Sequence, residues 1–314
     1  MDVNQLALLR ELAERGSVTE VAYALGKTPS AVSQQLRTLQ RQVGTVLVER
    51  VGRGVRLTDA GHALAESSVR VATAVAEAEA IWSAFRGGAS GTVRMAIFYS
   101  AAELLVPGLL TRMRAHPGIA LEISDRDVSQ DDFAALTSDF DVVVAHRSDD
   151  VLPADRERLT VVPLLREPLD VALPLDHPLS SRSRVSPADV IEEDWIGVPV
   201  NFPLDRVLQA MSAQAGISAH VVHRTTHLPL TEKLVAAGHG VALLPRNTSL
   251  ERASGRYVLV PLTDLRAGRR IEVIMRPDRA ARRAVHLVLD ELVAEAGASD
   301  PHEGVESEPQ QHLS

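Results

Sequence analysis

Cysteine is absent from this 314-residue sequence. Its absence excludes disulfide bonds, cysteine-ligated zinc and redox sensing by a thiol. The sequence also lacks an apolar run long enough to span a bilayer, and its first residues lack the charge and cleavage pattern of a signal peptide. We therefore expect a cytoplasmic protein, and the length predicts about two to three domains.

Common catalytic and metal-binding motifs are missing as well. The sequence has neither a GxSxG nucleophile elbow nor an HExxH zinc motif. His220, His223 and His227 could suggest a metal site, but on a strand His220 and His223 point to opposite faces. The sequence predicts no metal, no cofactor and no enzymatic activity.

Residues 28–43 predict a helix with two chemically distinct faces. Thr28 is a suitable N-cap, and Pro29 fits the first helical position. At about 3.6 residues per turn, one face is apolar and the other is short, polar and cationic. The apolar positions are Val32, Leu36, Leu39 and Val43, and the polar positions are Ser30, Gln34, Arg37 and Arg41.

The neighbouring segments predict a winged helix-turn-helix domain over residues 1–58. An earlier helix lies around residues 6–13, a second begins at Ser17 and ends at Gly26, and residues 46–58 form a wing with Arg53 at its tip. A small helical domain with a merely solvated polar face would share part of this pattern. The charge distribution favours DNA binding. Positions 27–56 contain six Lys or Arg and only one Glu, although the whole chain has a net charge of −8.

From Leu9 to Gly61 the sequence resembles the winged helix-turn-helix of LysR-type transcriptional regulators. The segments that carry the resemblance are TPSAVSQQL at 28–36 and LVERVGRGVRLTDAG at 47–61. Val18 stands where the family usually has an aromatic residue, and Val21 where it usually has alanine. Both positions are on the buried side, so these departures concern packing rather than DNA binding.

The predicted DNA contacts divide by the group that they would reach. Base edges are assigned to Ser33, Gln34 and Arg37. Phosphates or the groove rim are assigned to Thr28, Ser30, Arg41 and Arg53, with Pro29 at the start of the helix.

Residues 59–90 predict a long linker helix followed by a hinge. Apolar residues alternate in steps of four and three, a period that suits a partner helix better than the chain's own core, which is the alternative. The stripe consists of Leu64, Ser68, Val71, Val75, Ala78, Trp82 and Phe85. A dimer also matches paired half-sites on DNA. The resemblance implies dimers through this helix, commonly assembled into tetramers.

Residues 91–297 alternate strands with helices, which predicts an α/β domain of two lobes. Lobe I covers about 91–166 and 268–297, and lobe II about 167–267. The resemblance extends to LLVPGLLTRMRAHPGIALEI, FDVVVAH and LVAAGHGVALLP and implies a fold like that of periplasmic binding proteins. The acidic tail 298–314 is expected to be disordered. The predicted fold is thus an all-α winged helix-turn-helix domain with a linker helix, followed by an α/β two-lobed domain.

A cleft between the lobes is the expected site of a small-molecule effector. Ser100 and Ala101 lie between the first strand and its helix, where backbone amides would point at an anionic ligand. The other predicted cleft residues are Ser129, His146, Asn201, Phe202, Thr226 and His227.

The combined prediction is a LysR-type regulator that binds promoter DNA as a homodimer or homotetramer in the nucleoid, with RNA polymerase as a further partner. A small-molecule effector would favour one conformation over the other. Two alternatives remain at this point. One is an enzyme or solute-binding module with an accessory DNA-binding domain. The other is an effector-independent architectural or replication-origin DNA-binding protein of the same family.

Overall fold

The computed structural model describes residues 1–52, 54–85, 88–152 and 157–299. Three helices and a two-stranded wing come first, and a long helix follows them. These elements are α1 (Val3–Arg15), α2 (Val18–Ala24), α3 (Pro29–Val43), β1 (Val48–Val51), β2 (Gly54–Leu57) and α4 (Asp59–Phe85). Within the described ranges, no helix has both the length and the apolar character that crossing a bilayer requires.

Capping residues set the limits of α1 and α3. The Asp2 carboxylate and the Thr28 hydroxyl each accept a hydrogen bond from an amide in the first turn of their helix. The two helices end at Gly16 and Gly44, whose φ angles of 66° and 70° lie in the left-handed region. The three helices and the wing share one core, formed by Leu8, Leu9, Leu12, Val21, Val32, Leu36, Leu39, Leu47 and Leu57.

The linker helix α4 packs against α1 on one side and leaves apolar side chains exposed on another. Of the predicted stripe, Leu64 is half-buried, whereas Val71, Val75, Ala78, Trp82 and Phe85 are exposed. The rings of Trp82 and Phe85 stack with centroids 5.6 Å apart. Ser68 is buried rather than part of the open stripe, and its hydroxyl donates to the Ala65 carbonyl at 2.6 Å.

Two α/β lobes follow α4. Lobe I contains β3 (Gly91–Ile97), α5 (Tyr99–Met113), β4 (Ile119–Asp125), α6 (Phe133–Leu136), β5 (Val142–Ser148), β11 (Gly268–Met275), α11 (Pro277–Ala280) and α12 (Arg283–Ser299). Lobe II contains α7 (Pro187–Val190), β7 (Asp194–Gly197), α8 (Pro203–Ala215), β8 (His220–Arg224), α9 (Leu228–Ala236), β9 (Ala242–Pro245), α10 (Arg246–Ala253) and β10 (Tyr257–Pro261).

A long strand, β6 (Thr160–Pro174), belongs to both lobes. Its first part pairs antiparallel with β11, and its second part pairs antiparallel with β9 and β10. In lobe I, β3 is parallel to β4 and β5, while β11 is antiparallel to β5. The predicted order of winged helix-turn-helix, linker helix and two-lobed α/β domain is confirmed.

Several sequence expectations need correction. The runs LTVVPLL at 159–165 and PLDVALP at 168–174 predict two separate strands. They form the single strand β6, because its prolines occupy positions where the pairing is irregular or changes partner. Helix α5 begins before the predicted start near residue 102, so Ser100 and Ala101 lie in its first turn. The sequence predicts one last helix over residues 278–297, which the structure divides into α11 and α12. The predicted tail begins within α12, and residues 300–314 lie outside the described residues.

Candidate DNA-binding surface and ligand cleft

The polar face of α3 is open to solvent. Of the predicted DNA contacts, Thr28, Pro29, Ser30, Gln34, Arg37 and Arg41 are exposed and Ser33 is half-buried. The Arg37 Nε donates to the Ser33 carbonyl at 3.2 Å, and the Arg41 Nη2 donates to the Thr38 hydroxyl at 3.1 Å. Both guanidinium groups therefore lie along the helix surface. Arg53 lies outside the described residues.

An open groove of about 680 Å³ separates this face from the start of the wing. Arg37 and Arg41 line the groove together with Gln34 and Gln40. Guanidinium and amide groups on an exposed helix can reach both phosphates and base edges in the major groove of a duplex. The surface thus has the shape and charge for binding double-stranded DNA.

Gln40 attaches the wing to α3. Its Oε1 accepts hydrogen bonds from the Leu47 amide at 2.8 Å and from the Val48 amide at 3.0 Å. The Thr58 hydroxyl adds a bond to the Val46 carbonyl at 2.8 Å. Sequence reasoning missed Gln40, because its partners are backbone groups that no side-chain pattern reveals.

A cavity of about 30 Å³ lies between the two lobes. This volume has room for about two water molecules. The cavity is lined by Phe98, Tyr99, Ser100, Asp127, His146, Val198, Phe202, Pro203, Leu204, Thr226, Leu228 and Arg269. Because α5, α8 and α9 all begin at this cavity, the positive ends of three helix dipoles face it.

Arg269 and Glu167 form a buried ion pair at the cavity wall. The Arg269 Nη2 and Nε lie 2.6 Å and 2.9 Å from the Glu167 Oε2. The same Nη2 donates to the Ser100 hydroxyl at 2.7 Å, and the guanidinium carbon lies 5.0 Å from the centroid of the Phe98 ring. Because Glu167 balances the charge of Arg269, this arginine adds little net positive charge to the cavity.

His146 and Asp127 keep unused hydrogen-bonding capacity in the cavity. The His146 Nε2 lies 4.0 Å from the Asp127 Oδ1, which is too long for a direct hydrogen bond. Burial, assisted by the nearby Arg269, lowers the pKa of His146 to about 3, so its ring is neutral. Burial raises the pKa of Asp127 to about 6, although Arg269 opposes this shift. Such shifted groups in a cleft are typical of ligand sites.

The structure brings four of the eight predicted cleft residues to this cavity, namely Ser100, His146, Phe202 and Thr226. The other four have local roles. Ala101 is buried in the lobe I core, and the Ser129 hydroxyl donates to the Asp132 carboxylate at 2.6 Å. Asn201 adopts a φ of 73° in the turn before α8, and the His227 Nδ1 accepts from the Leu230 amide at 3.3 Å.

Sequence reasoning missed the charged members of the cavity, Asp127 and Arg269. Arg269 belongs to the segment GRRIEVIM, where a charge inside a strand was a usable signal. Asp127 lies in an irregular segment after β4, and the two residues before it, Asp125 and Arg126, are also charged. Its position was therefore not predictable from its surroundings.

Two family profiles match the chain. The LysR substrate binding domain matches residues 86–297, and the bacterial regulatory helix-turn-helix protein of the lysR family matches residues 3–62. The chain belongs to the LysR family. As a LysR-type transcriptional regulator, it joins a DNA-binding domain to an effector-binding domain through α4.

Individual proteins are also similar to this chain, in sequence or in fold. The HTH-type transcriptional regulator CbbR from Xanthobacter flavus is 27% identical over 304 residues, covering 95% of this chain and 88% of CbbR. The structure of a full-length OxyR variant from Pseudomonas aeruginosa has a TM-score of 0.68 at 18% identity, covering 93% of this chain and 94% of OxyR. The regulatory domain of CcmR from Synechocystis PCC6803, in complex with 2-PG, has a TM-score of 0.56 at 19% identity, covering 65% of this chain and 97% of that domain.

Replacing Asp127 by Asn is expected to stabilise the fold above the pKa of the carboxyl group. Because its folded pKa of about 6 exceeds the usual 3.8, the ionised carboxylate disfavours the folded state as pH rises through this window. Since part of the residue remains in solvent, we expect a gain of only about 1 kcal/mol in the free energy of unfolding at high pH. The gain should develop between pH 3.8 and about 6 in urea titrations.

The exposed Asp131, in the same segment, supplies the control variant Asp131→Asn, which makes the same change of side chain outside the cavity. A stability difference for Asp127→Asn that is constant across the pH range would contradict the desolvated position of the carboxylate.

Proposed function

We propose that this LysR-type regulator binds promoter DNA through α3 and the wing. The observation that carries this proposal is the exposed cationic face of α3 beside the open groove. In the proposal, Ser33, Gln34 and Arg37 contact base edges, while Thr28, Ser30 and Arg41 contact phosphates or the groove rim. Binding of promoter DNA fits a protein of the cytoplasm.

Replacing Arg37 or Arg41 by alanine is predicted to change DNA binding in different ways. Arg37→Ala should lose about 1–3 kcal/mol of discrimination between the promoter and a duplex altered at one base pair. Arg41→Ala should weaken binding to both duplexes equally and reduce the salt slope by about 1. Fluorescence anisotropy with both duplexes at several salt concentrations measures the two effects.

The exposed Arg114, in the effector-binding domain, supplies the matched control Arg114→Ala, which should leave both affinities unchanged. If Arg37→Ala weakens the two duplexes by the same factor, Arg37 contacts phosphate and its assignment to a base edge is wrong.

We further propose that α4 pairs with α4 of a second copy, giving a homodimer that can assemble into a homotetramer. Val71, Val75, Trp82 and Phe85 form an apolar stripe that is between 38% and 82% exposed in the single chain. Contiguous exposed apolar side chains of this kind mark interaction surfaces. A symmetric pair of helices covers the stripe with its own copy and presents two recognition helices to successive major grooves.

Replacing both Trp82 and Phe85 by alanine should weaken dimerisation by more than about tenfold, since buried aromatic side chains dominate interface energies. Sedimentation equilibrium measures the dissociation constant. The control is Glu77→Ala, which changes an exposed charged residue of the same helix on the side away from the stripe. An unchanged constant for the double variant would place the dimer contact elsewhere.

For the cleft we propose a small-molecule effector with an anionic group and a hydrogen-bond donor. The first turns of α5 and α8 have no side-chain cap, so their amides are available to an anion. Asp127 is an acceptor for a ligand hydroxyl or amine. Ligand pockets usually exceed about 300 Å³, so the lobes must separate to admit such a molecule.

A binding role rather than catalysis fits the cavity chemistry. The Ser100 hydroxyl accepts its hydrogen bond from Arg269, so within the described cavity it is not paired with a general base. We therefore propose that the protein is not an enzyme. Because the sequence has no cysteine, an effector signal is not read by a thiol.

Thermal-shift measurements test the ligand class. Small hydroxy and amino acids should raise the melting temperature more than matched carboxylates without the donor, such as lactate compared with propionate. In Asp127→Asn this difference should shrink, because the amide is a weaker acceptor than the carboxylate. Stabilisation by amines or polyols alone, with none from acids, would contradict the anionic part of the proposal.

A further inference from the structure

Helix α1 contacts lobe I through charged side chains. One face of α1 joins the DNA-binding core through Leu8, Leu9 and Leu12. Another carries the residues that meet the effector-binding domain. We call this contact the α1–lobe I interface, and its members are Arg10, Glu11, Glu14 and Arg15 on α1 and Ser138, Asp139, Arg276 and Asp278 on lobe I.

Arg276 occupies the centre of the α1–lobe I interface. Its Nη1 lies 3.0 Å from the Glu11 Oε1 and 2.8 Å from the Glu14 Oε2. Its Nε lies 3.2 Å from the Asp278 Oδ1, and Asp278 in turn pairs with the Arg10 Nη2 at 3.2 Å. The Arg276 side chain is only 5% exposed. One buried guanidinium group therefore binds carboxylates from both domains.

A second contact lies at the end of α1. The Arg15 Nη2 lies 2.7 Å from the Asp139 Oδ1 and donates to the Ser138 carbonyl at 3.0 Å. The Ser138 hydroxyl donates to the Glu14 Oε2 at 3.2 Å. Hydrogen-bonded charges in alternating sign fix the register of two surfaces, because a displaced arrangement brings like charges together.

The chemistry of the interface favours release as well as docking. Ion pairs gain Coulomb energy on contact but lose hydration, so the two terms nearly balance. The Nε and Nη1 of Arg10 are buried without a hydrogen-bond partner among the described residues, which leaves the docked state incompletely satisfied. Charged surfaces that separate are rehydrated, and salt weakens their attraction. An apolar interface of the same size would have neither property.

Strand β11 connects this interface to the ligand cavity. Arg269, near its beginning, lines the cavity, and Arg276 immediately follows its end. At about 3.4 Å per residue, the seven steps between them span about 24 Å. Because β5 and β6 pair with β11 on its two sides, the strand moves as part of the sheet rather than by stretching.

We propose that the α1–lobe I interface is a reversible ionic docking surface that holds the DNA-binding domain on lobe I, and that β11 links its occupancy to the position of Arg269 in the cleft. The docked domain has one fixed orientation of α3 relative to the effector-binding domain. Without these ion pairs, the DNA-binding domain is joined to lobe I through α4, which also contacts α11 and α12. Only the link to the cleft rests on the proposed ligand site, since docking requires neither ligand nor DNA.

Spin-label distances in the full chain test the docking. Because the sequence has no cysteine, Tyr23→Cys on α2 and Val293→Cys on α12 place single labels on exposed positions of the two domains. Labelled chains are diluted with unlabelled chains so that distances within one chain dominate. We expect one distance population, which Arg276→Gln shifts to longer distances. The control Arg114→Ala should leave the distribution unchanged.

A salt titration of the labelled chain without further substitution guards against misfolding of Arg276→Gln. Raising salt from about 0.1 M to about 1 M shortens the Debye length from about 10 Å to about 3 Å, so a longer-distance population should grow. A distribution unaffected by both salt and Arg276→Gln would overturn the docking proposal.

The link along β11 is tested separately with Arg269→Lys. Lysine keeps the charge but not the two-bond contact with Glu167, so it disturbs the cleft end of the strand. We expect a shift to longer distances in this variant as well. A wild-type distribution for Arg269→Lys, beside a shifted one for Arg276→Gln, would overturn the link and leave docking supported. Neither result depends on the DNA contacts or on the class of effector.

Discussion

The buried ion pair between Glu167 and Arg269 is the constraint on which the effector-binding domain depends. The two residues are direct neighbours across β6 and β11, at the place where β6 passes from one lobe to the other. Removing one partner of such a pair costs about 3–5 kcal/mol, because the other charge remains buried. The junction therefore stays intact while the lobes on either side of it move. Ser100 is bound to this junction by Arg269, so the first turn of α5 is positioned by the same pair.

Three faces of the DNA-binding domain differ in the chemistry of their side chains, and each makes a different kind of contact. Leucine and valine side chains hold the helices together by the hydrophobic effect, and this contact is not weakened by the screening of charges. Arg37 and Arg41 remain exposed on α3, while the charged side of α1 pairs with lobe I. In the proposed arrangement DNA and lobe I contact different helices, so docking on lobe I leaves the polar face of α3 accessible.

Sequence reasoning predicted most of the fold, because caps and periodicity act over a few residues. Thr28 and Pro29 begin α3 as expected, its last residue Val43 matches the predicted range, and the strand and helix alternation gives the two lobes. The prediction was wrong where tertiary contacts determine the extent of an element. Strand β6 continues through its prolines because each lobe supplies it with pairing partners. Half of the predicted cleft residues line the cavity. Loop positions before helices identified Ser100 and Phe202, whereas Asp127 and Arg269 reach the cavity through the folding of distant segments.

The bond between Gln40 and the wing has a consequence for how the protein responds to its surroundings. Gln40 is uncharged and binds two backbone amides, so its contact changes with neither pH nor ionic strength. The phosphate contacts and the ion pairs of α1 are both weakened by salt. A rise in ionic strength therefore releases the DNA-binding domain from DNA and from lobe I in its folded form. Helix α3 and the wing keep their spacing. Rebinding then requires diffusion and docking but no refolding of the domain.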